Sequence, residues 1–337
     1  MNIITKQHFN GVEIHGDVGE TTYSDGLSYG AGSIMGSDFD RGNILIDVET
    51  HHRDPISQGA RSWSSDNFLD NPDAACANCS SKLPFLTGKI GGAGPTLAFL
   101  GPNNVVPLGS PSLNGQPLLV TFGGSHFLDL TQQPDLVVAQ ETKQINLSGH
   151  YDILPNVTAV LEAFYTDRTS TEQLNPEPLS ATITTAVYPG LVIPALLPNG
   201  TKNPNNPYGA DITNANFRPF GGGDRVYSPD VQTYRIRGGL EGTIFSNYNW
   251  AIGYVYGVSD AEYKTAGDVN FFHLGQETGQ FACGSQTAAG CHVANFFAPL
   301  TAADIKYLEY TDIDNSQLEE DYLYANISGP IYHLPAG

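Results

Sequence analysis

The chain has 337 residues, enough for a sizeable core or two ordinary domains. Charged residues make up only 15%, while 37 glycines and 22 prolines favour strands and loops over helices. The 40% apolar content argues against general disorder, and a formal charge of −20 disfavours nucleic acid as a partner, because phosphate binding needs basic surface.

The acidic excess suits cation binding and simple solvation alike, and solvation is the preferred reading. Residues 1–6 lack the long apolar core of a signal peptide, which leaves a cytosolic or an incomplete chain. No apolar run reaches the roughly 18 residues of a membrane helix. The apolar stretch 188–198 is broken by Pro189, Pro194 and Pro198.

Alternation with a period of two, the mark of strands, then recurs along the chain. Val12, Ile14 and Val18 oppose Glu13, His15 and Asp17. After a hairpin at Ser24-Asp25-Gly26, residues 27–37 give a weaker case, blurred by glycine and serine. A tight turn at 40–42 leads to Ile44, Ile46 and Val48, opposed by Asp47, Glu49 and His51. In 143–154, Ile145, Leu147, Tyr151 and Ile153 oppose Asn146, Ser148, His150 and Asp152. Pro155-Asn156 turns the chain into 157–165, where Val157, Ala159, Leu161, Ala163 and Tyr165 oppose Thr158 and Glu162. The clearest segment is 231–247: Tyr234, Ile236, Leu240 and Ile244 share one face, and Arg235, Arg237, Glu241 and Thr243 the other. A turn at 247–249 precedes Trp250, Ile252, Tyr254, Tyr256 and Val258, which oppose small residues such as Gly253 and Gly257. Last, Leu323, Ala325, Ile327 and Ile331 oppose Tyr324, Asn326 and Ser328.

Eight strands are therefore expected. Tight turns alternate with long polar stretches at 53–142, 167–230 and 265–319, read as loops without structure of their own. Short turns on one side and long loops on the other are the habit of outer-membrane barrels, whose strands need about 9–11 residues to cross. Structureless loops of this length argue against a compact soluble fold. One helix is expected inside the third long loop, over 302–310, capped by Thr301 with Asp304 completing a capping-box variant.

The chemistry-bearing residues point to no enzyme. Gly123-Gly124-Ser125-His126 lacks the GxSxG elbow, and Gly221-Gly222-Gly223-Asp224-Arg225 lacks the Lys-Ser/Thr of a phosphate loop. Glu49, His51 and His52 lie on a strand where neighbours point to opposite faces, so a shared metal is not expected. No catalytic residue, metal ligand or cofactor is assigned. Cys283 and Cys291 bracket a small-residue loop and are expected to close it as a disulfide. Cys76 and Cys79 form an isolated CxxC, either a local bridge or two free thiols.

Several stretches resemble, in order, TonB-dependent outer-membrane receptors. Asn2-Ile3-Ile4-Thr5-Lys6 followed by Phe9-Asn10-Gly11-Val12-Glu13 is similar to the junction of plug and barrel. Phe39-Asp40-Arg41-Gly42-Asn43 resembles the turn between the second and third barrel strands. Gln58-Gly59-Ala60-Arg61-Ser62 is similar to the start of the following loop, although the family more often has an acidic residue near there. Tyr165-Thr166-Asp167-Arg168-Thr169-Ser170 and Leu174-Asn175-Pro176-Glu177-Pro178-Leu179 resemble the top of the fifth strand. Arg225, Asp230, Tyr234 and Arg237 match the approach to the sixth. Cys291 with Asn295-Phe296-Phe297 resembles a loop pattern of the family, and 325–332 with Leu334-Pro335-Ala336-Gly337 the eighth strand and its turn.

The resemblance implies an all-β fold: part of an antiparallel transmembrane β-barrel, an up-and-down meander of about eight strands with long extracellular loops. Residues 1–8 would be the tail of the plug and 9–337 the N-terminal portion of the barrel. A complete relative, with about 22 strands, sits in the outer membrane of a Gram-negative bacterium. It imports a scarce nutrient such as a siderophore, vitamin or saccharide, with energy relayed by TonB. Its partners would be outer-membrane lipid, an unidentified small molecule and, through the missing plug, the TonB complex. A fragment without the plug is not expected to transport alone. Glu13, Asp17, Asp47, Glu49, His150, Asp152, Arg235, Arg237 and Glu241 would face the lumen as a polar lining. The alternative is a secreted β-rich binding protein or adhesin. That reading explains the acidity and the cysteines, but not the apolar face on so many strands.

Overall fold

The two-residue alternation along the chain builds one antiparallel sheet. The computed structural model describes residues 9–65, 79–80, 86–99, 105–107, 121–122, 125–126, 128–129, 134–186, 188–219, 224–245, 247–284 and 289–331. Its long strands are β1 (Gly11–Gly19), β2 (Ser28–Phe39), β3 (Gly42–Arg53), β4 (Ala139–Leu154), β5 (Val157–Leu174), β6 (Arg225–Ile244), β7 (Tyr248–Val269) and β8 (Glu309–Ser328). Their order in the sheet is their order in the chain, a meander of eight strands. The expected segments at 1–8, Cys76, Gly221–Gly223 and 332–337 lie outside the described residues.

Register joins the apolar faces of neighbouring strands into rows. Tyr151, Ala159, Leu240, Ile252 and Ala325 face one another across β4 to β8. A second row runs Ile46, Leu147, Ala163, Ile236 and Tyr256. A slip of one residue would turn each row over, so the pattern itself fixes the pairing. Ile236, Leu240 and Ile244 remain 49%, 38% and 41% exposed, and no second sheet covers them among the described residues.

The connections 40–41, 155–156 and 245–247 are tight and lie at one end of the sheet. The connections 20–27, 54–138, 175–224 and 270–308 all lie at the other.

Two expectations need correcting. The strands reach further than the alternation does: β5 spans 18 residues, β7 spans 22 and β8 spans 20. Their upper halves carry polar side chains on both faces, which hides the period while backbone pairing continues. Thr166 still faces Thr233, and Asn315 still faces Glu262. Pro229 has no N–H to give, and the β5–β6 ladder is interrupted there, between Thr169/Asp230 and Glu172/Tyr227.

The long connections are not structureless either. Leu179–Ser180, Ile212–Phe217, Thr87–Ile90, Leu97–Phe99 and Val105–Pro107 form a second, five-stranded sheet in that order. Two of these strands come from the connection after β5 and three from the one after β3. The connection after β7 adds two helices, Phe271–Glu277 and Ala302–Leu308. Together they bury a core of Leu86, Phe99, Leu179, Tyr188, Leu274 and Phe296 with their neighbours. Phe99, Tyr208 and Phe297, one from each connection, pack edge to face or tilted, with 5.3–5.5 Å between ring centres.

The chain 188–198 forms no helix, as its prolines require, and makes isolated bridges at Ile193 and Leu196. Its turn depends on Gly190, which has φ +102°; a Cβ there would sit 2.2 Å from the Ala181 carbonyl oxygen. The expected helix at Thr301 carries both bonds of a capping box, but it ends at Leu308 because β8 begins at Glu309.

Candidate functional site

Two regions concentrate polar chemistry: the inner face of the sheet and the far end of the loop module. The sheet curves around its polar face, which lines a concavity of about 910 Å³. Asp47, His150, Asp152, Arg235, Arg237 and Glu241 all contribute to its wall. Strand alternation alone puts them there, since each is offset by one residue from the apolar rows.

Most of the acidic residues in this wall face donors on the next strand. Asn146 donates to Asp47 at 3.1 Å and Gln144 to Glu49 at 2.6 Å. Thr158 donates to Asp152 at 2.7 Å. His15 lies 3.4 Å from Glu49, and His51 lies 3.8 Å from Asp17. Arg237 pairs with Glu162 at 2.8 Å and donates from Nε to the Tyr324 hydroxyl at 2.9 Å. Such mutual satisfaction fits a structural lining, because groups already paired have little left to offer a ligand. His52 points the other way, stacking on Tyr29 at 4.8 Å and meeting Asp54 at 3.0 Å, so it does not join His51.

Above this wall, Arg61 grips Asp25 with two hydrogen bonds of 2.7 Å. Those bonds, with help from the Thr21 hydroxyl, hold the Asp25 carboxyl down to about 2. The Arg61 guanidinium also lies 4.3 Å from the centre of the Tyr23 ring. The connection 20–27 is thereby tied to the start of the connection 54–138.

In the third long connection, Cys283 and Cys291 are joined by a disulfide with 5.8 Å between Cα atoms. Cys76 and the side chain of Cys79 lie outside the described residues. His292 follows the bridge directly. Its Nδ1 meets the Gly290 carbonyl at 2.6 Å, and its Nε2 lies 2.5 Å from Asp304 Oδ1. Asp304 is held by the cap, its Oδ2 accepting from the Thr301 N–H at 2.6 Å. Glu277 closes the group at the last residue of its helix, and ligand atoms of Glu277, His292 and Asp304 lie within 4.8 Å of one another. Glu277 is fully buried, and neither of its carboxylate oxygens has a hydrogen-bond partner. Burial, with the nearby Asp304 charge, pushes its carboxyl up to about 9.

The sequence assigns no metal ligand, and of these three residues it marks Asp304 alone, as a capping residue. They are 15 and 12 residues apart and belong to no local ligand motif. Only the capping signal at Thr301 and Asp304 was legible. Comparison with protein-family models, with curated proteins and with solved structures gives no match.

Proposed function

We propose that the chain is a segment of an outer-membrane β-barrel receptor of the TonB-dependent kind, serving energy-coupled uptake of a scarce nutrient. The observation that carries this reading is the apolar face that the register continues from strand to strand, interrupted on β8 where Asp321 and Glu319 face Tyr256 and Val258. Large side chains such as Ile14, Val48, Ile145, Leu240, Ile252 and Leu323 stand exposed on it, while the opposite face holds Asp47, Asp152, Glu162 and Arg237 in cross-strand polar contacts. Soluble proteins rarely leave a contiguous apolar surface of this extent open to water, whereas lipid covers it without cost. The one-sided placement of the long connections adds support.

Both edges of the sheet fit a segment as well. Strand β1 pairs only with β2 and β8 only with β7 among the described residues. In lipid, every free backbone group at such an edge costs several kcal/mol, on the order of a lost buried hydrogen bond. Further strands would close the sheet and remove that cost. Uptake would then belong to the whole receptor, with the folded loop module offering the outward surface and the polar wall facing the plug.

The test is fractionation. Fused to a signal sequence and expressed in a Gram-negative host, the chain should stay with the outer membrane through carbonate washing and need detergent for release. Release without detergent would overturn the proposal and put the secreted binding protein or adhesin first. That second reading draws support from one feature, the loop module with a core of its own.

A further inference from the structure

The loop module carries a feature that neither a polar lining nor a fold requirement explains. Glu277 is a carboxylate with no solvent exposure and no hydrogen bond to either oxygen. An unpaired buried acid is costly, and native structures seldom keep one without a partner. An imidazole and a second carboxylate stand beside it, with ligand atoms inside 4.8 Å. We propose that Glu277, His292 and Asp304 bind one divalent transition-metal ion.

The geometry around each residue favours this use. His292 Nδ1 donates to the Gly290 carbonyl at 2.6 Å and its Nε2 donates to Asp304 Oδ1 at 2.5 Å, so a metal ion would displace the Nε2 proton and take that nitrogen's lone pair while the Nδ1 bond keeps the ring oriented. A backbone carbonyl on the distal nitrogen is the usual orienting partner of a metal-bound imidazole. Asp304 divides its oxygens: Oδ2 stays with the Thr301 N–H, and Oδ1 is turned toward His292. Glu277 then brings the oxygens that have no other partner.

Surrounding contacts hold the three in place. The disulfide fixes Cys291 beside His292. On the other side, Asn205 donates to the Val293 carbonyl at 2.6 Å, and the Ala294 N–H donates to the Glu277 carbonyl at 2.8 Å. The His292 side chain is 42% exposed, so ions have a route in.

One imidazole and two carboxylates form a mixed nitrogen and oxygen set. Imidazole favours ions of the zinc class, whereas calcium and magnesium take oxygen shells of six or more. Three protein ligands leave a fourth position open toward solvent, for water or for a donor atom of a bound molecule. The site stands whether the sheet lies in a membrane or not.

Titration of the full chain in detergent micelles with Zn2+ alone, against a chromophoric chelator, tests the proposal. One equivalent should bind and should raise the melting temperature of the loop module. Glu277→Gln keeps the size of the neutral acid and should bind at least 100-fold more weakly while melting, without metal, like the parent. His292→Gln, at a partly exposed position, gives a second variant that does not depend on tolerance in the core, and it should weaken binding similarly. Equal Zn2+ affinity in the parent and both variants would overturn the assignment, as would no binding by the parent. Tighter binding of Ca2+ or Mg2+ than of Zn2+ would overturn the metal class.

Discussion

Arg237 on β6 reaches across β7 to donate its Nε to the hydroxyl of Tyr324 on β8, at 2.9 Å. The span is possible because Gly253 lies between them. Tyr324 faces Gly253 in the register, and a Cβ on that glycine would come within 2.6 Å of the Tyr324 hydroxyl. The aromatic ring covers the bare backbone of the glycine, and the arginine in turn holds the ring.

Removing only the hydroxyl, in Tyr324→Phe, should lower stability by about 1.5–3 kcal/mol, the net worth of a hydrogen bond to a charged group. Gly253→Leu should cost more, because it displaces the ring as well. Urea midpoints in micelles measure both. Equal midpoints for Gly253→Leu and the parent would show that the ring does not pack as described.

The Asp25–Arg61 pair should make the first connection sensitive to acid. The folded carboxyl is held down to about 2, below its ordinary value, chiefly by the Arg61 hydrogen bonds and then by Thr21. A depressed carboxyl contributes stability above its unfolded pKa of about 3.9 and loses it as the pH falls through the folded value. Protease resistance of residues 20–27 should thus hold at pH 5 and fall toward pH 2. In Asp25→Asn the dependence should vanish, with the weaker resistance present throughout.

The loop core should melt independently of the sheet. Leu274 is fully buried among residues from all three long connections. Leu274→Ala should cost about 2–5 kcal/mol and Phe296→Ala about 3–5 kcal/mol. Hydrogen exchange should report faster exchange in 175–224 and 270–308, with strands β4 to β7 unchanged. Loss of protection in both regions together would mean that module and sheet fold as one unit.

A charge on the apolar face separates lipid from water as its surroundings. Leu240 sits in the middle of its row, and Leu240→Arg should cost about 2–4 kcal/mol if that row lies near the centre of a bilayer. At a water-exposed strand position the same change should stay within about 0.5 kcal/mol. Assembly yield of parent and variant in lipid vesicles reads the difference.

The sheet was legible because a buried or lipid-covered face imposes a period that survives in sequence. Tyr234, Ile236 and Leu240 announce β6 with no help from distant residues. Where β5 and β6 rise past Thr166 and Thr233, both faces are polar and the period disappears, although the ladder continues. The loop module was illegible for a different reason. Leu86, Leu191 and Leu274 meet in one core but come from separate connections, and turns bounded by Pro189 and Gly190 follow neither a 2.0 nor a 3.6 period. The same holds for Glu277, His292 and Asp304, which are brought together by two helix ends and a disulfide rather than by spacing.

The face shared by Tyr151, Leu240 and Ile252 should contact lipid, and Trp250 reports on it directly. The chain has two tryptophans, and Trp63 stands in a connection, so Trp63→Phe leaves Trp250 as the sole emitter. Trp250 faces Gly242 and Ile327 on the apolar side of the sheet. Reconstituted in lipid with brominated acyl chains, the variant should lose most of its Trp250 emission while remaining insensitive to aqueous iodide. Full emission in brominated lipid together with quenching by iodide would contradict the account.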